Sequence, residues 1–487
     1  MDYKVTIQNT GRTLRAPAGE TLLGVLQRGG AAPDAPCGGH GTCGKCRVLV
    51  DGKEQLACGT KIDRDITVTL PEKTKTDILT ASVEVSAQAD GECDYAAAFD
   101  VGTTTVVCYL LSGRDGHLLA QASAVNPQTR YGADVISRIQ YAMEQDAAAL
   151  SGCIRHGMEA LLRQVSEQAA IDPAQIGLIS IVGNTAMHHL LLGIDPKSLT
   201  VPPYMPKVSH AMDLAGKDLL PVCPGARVRM LPNIAGFVGA DTVGCLVATR
   251  FDRLQELTLM IDIGTNGEMV LGDSRRRIAC STAAGPAFEG AKIQCGMRGA
   301  VGAVDHVAWK DGNITFSVIG GGEPVGLCGS GLLDLVTALL QKGDIGESGR
   351  MECGDRYTLE GTAVFLTQKD VREVQLAKAA IRAGIELMCR AMGVTPADIR
   401  RVYLAGAFGN YLDPASACAI GMIPPVLLDR IQPIGNAAGA GARLCAVSAG
   451  EFQYSTALAQ GTEFLELASR PEFNDTYVDC LMFEEDE

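Results

Sequence analysis

Basic charge is what this sequence has too little of. Across 487 residues, 42 Lys and Arg face 56 Asp and Glu, for a formal net charge of −14. Sequence-independent nucleic-acid binding needs a basic footprint, so the balance argues against that class. Long apolar runs are missing too: none approaches the roughly 20 residues of a membrane span. The opening MDYKVTIQNT has no apolar h-region of a secretory signal, and a cytoplasmic protein is expected. The regular cysteine pairing of a secreted scaffold is also absent. The 17 cysteines are an odd number and mostly scattered, and a chain of this length has core enough without disulfide staples. Hydrophobic residues at 47% and charged residues at 20% fit a folded protein, with length for about three folding units. In a reducing compartment, any gathering of cysteines calls for metal or redox chemistry. The other excess is glycine, at 56 residues.

Cysteine gathers in one place, PCGGHGTCGKCRVLVDGKEQLACGT, which holds Cys37, Cys43, Cys46 and Cys58. Around it the pattern predicts a strand over 3–8, a turn at Asn9-Thr10-Gly11 and a returning strand over 12–16. Leu22, Leu23, Val25 and Leu26 have helical spacing, with Gly29-Gly30 as a left-handed stop. CRVLV and ITVTL then read as strands, with Asp51-Gly52 as a turn. Hairpin, helix, loop and strands in this order describe a β-grasp. The spacing C-x5-C-x2-C-x11-C suits a [2Fe–2S] cluster, which takes four thiolates. Gly38, Gly39, Gly41 and Gly44 let backbone N–H groups approach the sulfides. Structural zinc also accepts four cysteines, usually as two C-x2-4-C pairs, and only one such pair is present. Residues 1–72 resemble the plant-type and mitochondrial-type [2Fe–2S] ferredoxins, and most nearly the ferredoxin-like domain of succinate dehydrogenase iron–sulfur subunits. Residues 73–94 are polar and weakly periodic, as in a linker, and Cys93 lies outside the cluster spacing.

At Tyr95 the pattern changes. YAAAFDVGTTTVVCYLLS is a buried strand, a tight Asp-x-Gly-Thr turn and a second strand, and LTLMIDIGTNGEMVLGD repeats it. One such turn is only a hairpin; two, each between apolar strands, imply an internal duplication. Such turns offer consecutive backbone N–H groups and hydroxyls to phosphate oxygens. The strand-end Asp100 and Asp262 suit a hydrated Mg²⁺. A third element, RRVYLAGAFGNYLD, ends a strand in Gly406 and Gly409, where the backbone can pass close to a flat purine and ribose. Together these resemble the ASKHA superfamily of acetate and sugar kinases, Hsp70 and actin. The resemblance implies a two-lobed α/β ATPase over 95–487, with lobe one about 95–255, lobe two about 256–475 and a tail at 476–487. It implies phosphate contacts from Gly102, Thr103, Thr104 and Thr105 and from Gly264, Thr265, Asn266 and Gly267, with Gly406 and Gly409 bordering adenosine. It also makes 234–249 and 435–447 the two connecting helices, whose small residues allow close approach.

An iron–sulfur domain fused to an ASKHA ATPase looks like the reductive activators of corrinoid proteins, which serve corrinoid-dependent methyltransferases and O-demethylases. NPQTRYGADVISRI, VGNTAMHHLLLGIDP, GPAFEGAKIQCGMRGA and GLCGSGLLDLV carry the likeness along the chain. The resemblance implies ATP-dependent one-electron reduction of a Co(II) corrinoid protein to Co(I). It further implies an upstream donor of ferredoxin or flavodoxin type. Some members insert a separate domain where this chain has only residues 73–94, so no dimer contact from such a domain is expected; a homodimer stays open. The rivals are an activator of 2-hydroxyacyl-CoA dehydratases, whose cluster sits on cysteines of the ATPase itself, a non-enzymatic ATP-binding redox sensor, and a small-molecule kinase.

Glu289 is the candidate for positioning the hydrolytic water, with Asp134 and Glu268 as competitors. His188 and His189 are adjacent, point to different helix faces, and suit packing or capping better than one shared ion. The remaining cysteines, Cys108 through Cys480, read as small buried hydrophobes. Residues 370–394 predict a core helix capped by Asp370 and ended by Gly393. The final FEEDE reads as a solvated acidic patch.

Overall fold

Alternating apolar residues set the first sheet. A computed structural model describes residues 2–29, 31–33, 35, 39, 41, 44–71 and 88–483. Cys37, Cys43, residues 73–87 of the expected linker and the acidic end 484–487 lie outside the described residues. Strands β1 (Asp2–Ile7) and β2 (Arg12–Pro17) form the hairpin. Helix α1 (Leu22–Arg28) starts at Thr21, whose hydroxyl accepts from the Gly24 N–H, and buries Leu22, Leu23, Val25 and Leu26. Strands β3 (Arg47–Val50) and β4 (Lys53–Leu56) turn at Asp51-Gly52, and β5 (Ile66–Thr69) lies between β1 and β3, parallel to β1. The order β2-β1-β5-β3-β4 is that of a β-grasp, with Val5, Ile7, Val48, Val50 and Val68 in its core. The expected left-handed stop is not at Gly29, which has φ −78. A Cβ at Gly29 would lie 2.3 Å from a Leu14 methyl, so a larger residue there would make the leucine turn aside.

Two further sheets repeat one plan. In the first, β6 (Tyr95–Val101), β7 (Thr105–Ser112) and β8 (Leu118–Val125) form an antiparallel meander. Helices α2 (Val135–Tyr141) and α3 (Ala147–Gln168) lead to β9 (Ile176–Gly183), parallel to β6. Then come α4 (Thr185–Leu192), β10 (Met212–Ala215), α5 (Gly216–Leu219), β11 (Arg227–Met230) and α6 (Ala240–Thr249). The second sheet opens with the meander β12 (Thr258–Ile263), β13 (Gly267–Gly272) and β14 (Arg277–Thr282). A small sheet of β15 (Ala303–Lys310), β16 (Asn313–Val318) and β17 (Gly326–Leu327) follows, then α7 (Gly329–Lys342), the hairpin β18 (Arg356–Thr358) and β19 (Phe365–Thr367), and α8 (Gln368–Met392). Strand β20 (Arg401–Ala405) returns beside β12, followed by α9 (Gly406–Tyr411), α10 (Pro414–Ala419), β21 (Ile431–Gly435), α11 (Ala437–Val447), α12 (Ala449–Gln460), β22 (Glu463–Phe464) and α13 (Pro471–Asp479). The two sheets share the five-strand order β8-β7-β6-β9-β11 and β14-β13-β12-β20-β21, with β10 added beyond β11 and β22 beyond β14; in each, β9 or β20 runs parallel to β6 or β12, and β11 or β21 parallel to that strand. The repeated turn therefore marks duplication of a whole folding unit.

Between the sheets lies a shared core holding Ala98, Val107, Met260 and Val270 with residues of α6 and α11. These two helices touch backbone to backbone. A Cβ on Gly441 would lie 2.0 Å from the Gly244 carbonyl oxygen. The expected first connecting helix is shorter than 234–249: residues 234–239 are irregular, and α6 starts at Ala240, where Asn233 Oδ1 accepts the N–H at 3.0 Å.

Other expectations are corrected. Residues 88–94, assigned to the linker, are fastened to the ATPase body. Asp90 accepts from the Ala449 N–H at 2.5 Å, and Glu92 receives the buried Arg229 at 3.1 Å. The tail assigned to 476–487 is not free over its described part: α13 crosses its start, Phe483 is buried and the Lys378 ammonium donates to the Met482 carbonyl. The cap of α8 is Thr367, with Asp370 at the third helical position completing a capping box, and Gly393 ends the helix at φ 69. Of the scattered cysteines Cys353 is exposed and Cys295 half-buried; neither is core filler in the sense expected. Among the described residues no helix is long and apolar enough to cross a membrane.

Candidate functional site

The two Asp-x-Gly-Thr turns face each other across the cleft between the lobes. Each is closed by its own glycine amide: Gly102 N donates to Thr105 O and Gly264 N to Asn266 O, both at 2.9 Å. Among the described residues, the N–H groups of Thr103, Thr104, Thr265 and Asn266 have no backbone acceptor, which leaves them as anion donors. Thr105 and Gly267 instead head the returning strands β7 and β13.

Glu289 joins the two turns. It ends a 3-10 turn, Pro286–Glu289, set between Gly285 and Gly290 with φ 77 and 74. A side chain on Gly290 would meet the Met297 backbone at 2.4 Å, so the segment folds back on itself directly after Glu289. Its carboxylate accepts from Thr104 Oγ1 and from Thr265 Oγ1, each at 2.9 Å. One carboxylate thus holds a hydroxyl from each lobe.

Beneath the turns lies an acidic cluster. Burial raises the Asp100 carboxyl to about 6, opposed by the Asn436 amide, which donates to it at 2.9 Å. Burial, then the charges of Asp241 and Asp100, raise Asp262 to about 7. Asp241, at the start of α6, is pushed up by burial and by Asp100. Glu268 is pushed well up by burial, then by Asp241 and Asp262. Asp262 and Glu268 are direct cross-strand partners, an unfavourable like-charge pair unless a cation intervenes. Among the described residues, no three acidic, His or Cys side chains converge as a direct metal cage. The cluster therefore fits a cation held through water and phosphate oxygens better than one ligated by carboxylates alone.

A proton retained by Asp262 in the folded state but lost in the unfolded one makes stability fall as pH rises from roughly 4, the unfolded value, through about 7. Asp262→Asn is expected to raise the nucleotide-free melting temperature at pH 7.5 by a few degrees, on the order of 1–2 kcal/mol. The same variant is expected to lose the additional stabilisation by Mg²⁺-ATP, and thermal melts with and without Mg²⁺-ATP check both parts.

The glycine turn at 406–409 lies against the same acidic cluster. Gly406 has φ 83, and a Cβ there would lie 2.5 Å from Asp262 Oδ1, so glycine lets the turn close onto the acidic cluster. Phe408 stacks on Phe288 with ring centroids 4.9 Å apart, tying this turn to the segment carrying Glu289. Gly409 packs on Leu404, with a Cβ position 3.3 Å from the leucine Cβ.

Sequence reasoning missed the groups that hold these parts. Asn126 Nδ2 donates to the Gly102 carbonyl at 2.7 Å, and the buried Arg138 donates to the Thr103 carbonyl at 2.5 Å. Burial lowers the Arg138 guanidinium to about 10. Asn184 Nδ2 donates to Thr103 Oγ1 at 2.9 Å while its own oxygen caps α4. Asn436 likewise caps α11 with its oxygen while its amide serves Asp100. The signal available was an Asn before each helix in VGNT and IGNA. Of the competitors to Glu289, Asp134 is occupied as the cap of α2, and Glu268 lies in the acidic cluster. His188 and His189 are buried on α4, and His189 bridges the Thr185 carbonyl and the Lys207 N–H.

The other expected centre is described at two of its four cysteines. Cys46 is buried directly before β3, and its sulfur accepts from the Cys58 N–H at 3.5 Å. Gly39, Gly41 and Gly44 have φ 96, 74 and 64, left-handed conformations that side chains resist. A thiol already receiving a backbone N–H beside such a loop fits a cluster that needs its sulfurs hydrogen-bonded.

Comparison with known proteins agrees with this architecture. Residues 5–66 match the model of the 2Fe-2S iron-sulfur cluster binding domain, 95–254 that of the RACo middle region, and 256–487 that of the C-terminal domain of RACo, the ASKHA domain. The chain is 39% identical over 418 residues to the corrinoid activation enzyme RamQ of Eubacterium limosum, covering 80% of this chain and 70% of that one. It is 29% identical over 296 residues to the Co(II) methylated amine-specific corrinoid protein reductase of Methanosarcina barkeri, covering 56% and 54%. A solved structure of a reductive activator for corrinoid, iron-sulfur protein superposes with a TM-score of 0.73 at 26% identity, covering 99% of this chain and 98% of that one.

Proposed function

This chain belongs to the family of corrinoid activation enzymes, and on that premise we propose that it is an ATP-hydrolysing reductase returning a Co(II) corrinoid protein to Co(I). The observation that carries the reading is Glu289 joining a phosphate turn from each lobe in a chain that also bears the ferredoxin-like unit. Cys37, Cys43, Cys46 and Cys58 would hold a [2Fe–2S] cluster, which supplies one low-potential electron when bound. An upstream ferredoxin or flavodoxin would replenish it.

Each 100 mV by which the cobalt couple lies below the donor costs about 2.3 kcal/mol per electron. ATP is the source that offsets this. The turn amides and the hydroxyls of Thr103, Thr104 and Thr265 bind the triphosphate. Asp100 and Asp262 would hold a Mg²⁺, which would offset phosphate charge when bound, and the Asn436 amide holds Asp100 in place by donating to it. Glu289, released from the threonine hydroxyls as phosphates take its place, positions the attacking water and accepts its proton. Gly406 and Gly409 line the nucleoside. Closing on nucleotide rotates the lobes about α6 and α11, and that movement remodels the bound corrinoid protein, making its cobalt easier to reduce. We place this in a reducing cytoplasm, the compartment in which scattered buried cysteines such as Cys108 and Cys245 stay reduced.

The test is anaerobic reduction of candidate Co(II) corrinoid proteins by the cluster-loaded protein, followed by visible spectroscopy with and without ATP. Co(I) bands should accumulate only with ATP; equal reduction in its absence overturns the reading.

A further inference from the structure

Two side chains of the ferredoxin-like unit donate to the ATPase body, one to each lobe. Gln27, on α1, donates through Nε2 to the Arg130 carbonyl at 2.6 Å. Lys45, in the cluster loop and next to Cys46, donates through Nζ to the carbonyls of Ile293 at 3.2 Å and Gly296 at 2.6 Å. Both side chains are half-buried.

The receiving segments are those that grip the phosphate turns. Arg130 ends the turn Pro127–Arg130, which begins beside Asn126. Asn126 is bonded to the first Asp-x-Gly-Thr turn twice, its amide to Gly102 O at 2.7 Å and its backbone N–H to Thr104 O at 2.8 Å. Ile293 and Gly296 lie on the segment that begins at Glu289. Gly290 packs against the Met297 backbone, and Gly296 N donates to Ile293 O at 3.1 Å, so the segment moves as one piece. Gln294 N is held in turn by the buried Asp370 at 2.8 Å. Glu289 and the carbonyls under Lys45 thus belong to one packed backbone segment.

We infer that Lys45 and Gln27 are positioning residues that pin the ferredoxin-like unit across the interlobe cleft, so that nucleotide binding resets the placement of the cluster loop. The inference rests on the ATP-driven reading above. A unit attached to one lobe would ride with that lobe whatever the cleft held. A unit attached to both is carried by neither and must re-seat when the lobes rotate.

The test uses the full cluster-loaded chain and amide hydrogen exchange over residues 22–28 and 44–50, without nucleotide and with Mg²⁺ and a non-hydrolysable ATP analogue. In the wild type, nucleotide should shift exchange in both segments. In the Lys45→Ala/Gln27→Ala double variant that response should vanish, while nucleotide affinity and the cluster's visible spectrum stay unchanged. ATP stimulation of cobalt reduction should fall by roughly tenfold, within the range of ordinary intersite coupling, and Lys45→Arg should restore it. If Lys45→Ala perturbs the cluster spectrum, Gln27→Ala alone decides, since it lies outside the cysteine loop. A wild type whose two segments ignore nucleotide, or variants that keep the wild-type response, overturns the inference. The exchange arm needs no corrinoid protein. Nucleotide-responsive exchange without cobalt reduction would sink the functional reading and leave the tethers standing, and the reverse result would do the opposite.

Discussion

Glu289→Gln should hydrolyse ATP about 10²–10³-fold more slowly while binding it at least as tightly. The two halves have separate causes. The carboxylate accepts hydroxyls from both phosphate turns at 2.9 Å, so it sits where a phosphate will lie and opposes it by charge. Removing that charge relieves repulsion in the ground state. Removing the base leaves the attacking water unpositioned, and that loss falls on turnover. A residue serving only to brace the two turns would show the other pattern, with weaker binding and turnover falling in step. Steady-state ATPase assays with an independent nucleotide titration separate the cases. The ferredoxin-like unit's visible bands should be unaffected in the variant.

Cys46→Ala should abolish cobalt reduction while leaving ATP hydrolysis in place. Cys46 is buried, directly precedes β3 and accepts the Cys58 N–H. A methyl group there supplies neither a thiolate nor an acceptor for that amide. The broad bleachable absorption of a [2Fe–2S] protein should disappear with it. Cys93→Ala serves as the control. Burial holds that thiol up, it lies against Gly177 and Gly113 in the ATPase body, and the spectrum should survive its loss. A Cys46→Ala protein that kept the spectrum would overturn the ligand assignment.

The parts of this site written as short contiguous motifs were legible in the sequence. The cysteine spacing, the two Asp-x-Gly-Thr turns and the glycine turn at Gly406 each state their local chemistry within a dozen residues. Glu289 could be named as a candidate, but its role as a bridge depends on Thr104, from which 185 positions separate it. Asn436 and Asp100 stand 336 positions apart, and nothing local to either predicts that they meet. Asp241 looked like part of a helix-forming stretch and joins the acidic cluster only because α6 starts at Ala240 and its first turn is buried beside Asp100 and Asp262. The errors at the chain's edges have one cause. Polar, weakly periodic segments such as 88–94 read as free, yet they are held by buried partners such as Arg229 that local patterns do not reveal.

The contact between α6 and α11 has a consequence for what the chain tolerates there. A Cβ on Gly441 would run into the Gly244 carbonyl oxygen, while Val243, Leu246 and Leu444 fill the shared core around that point. A methyl group at Gly441 would wedge the two helices apart, and with them the two halves of the molecule, so a change of one carbon far from any phosphate would misalign both turns at once.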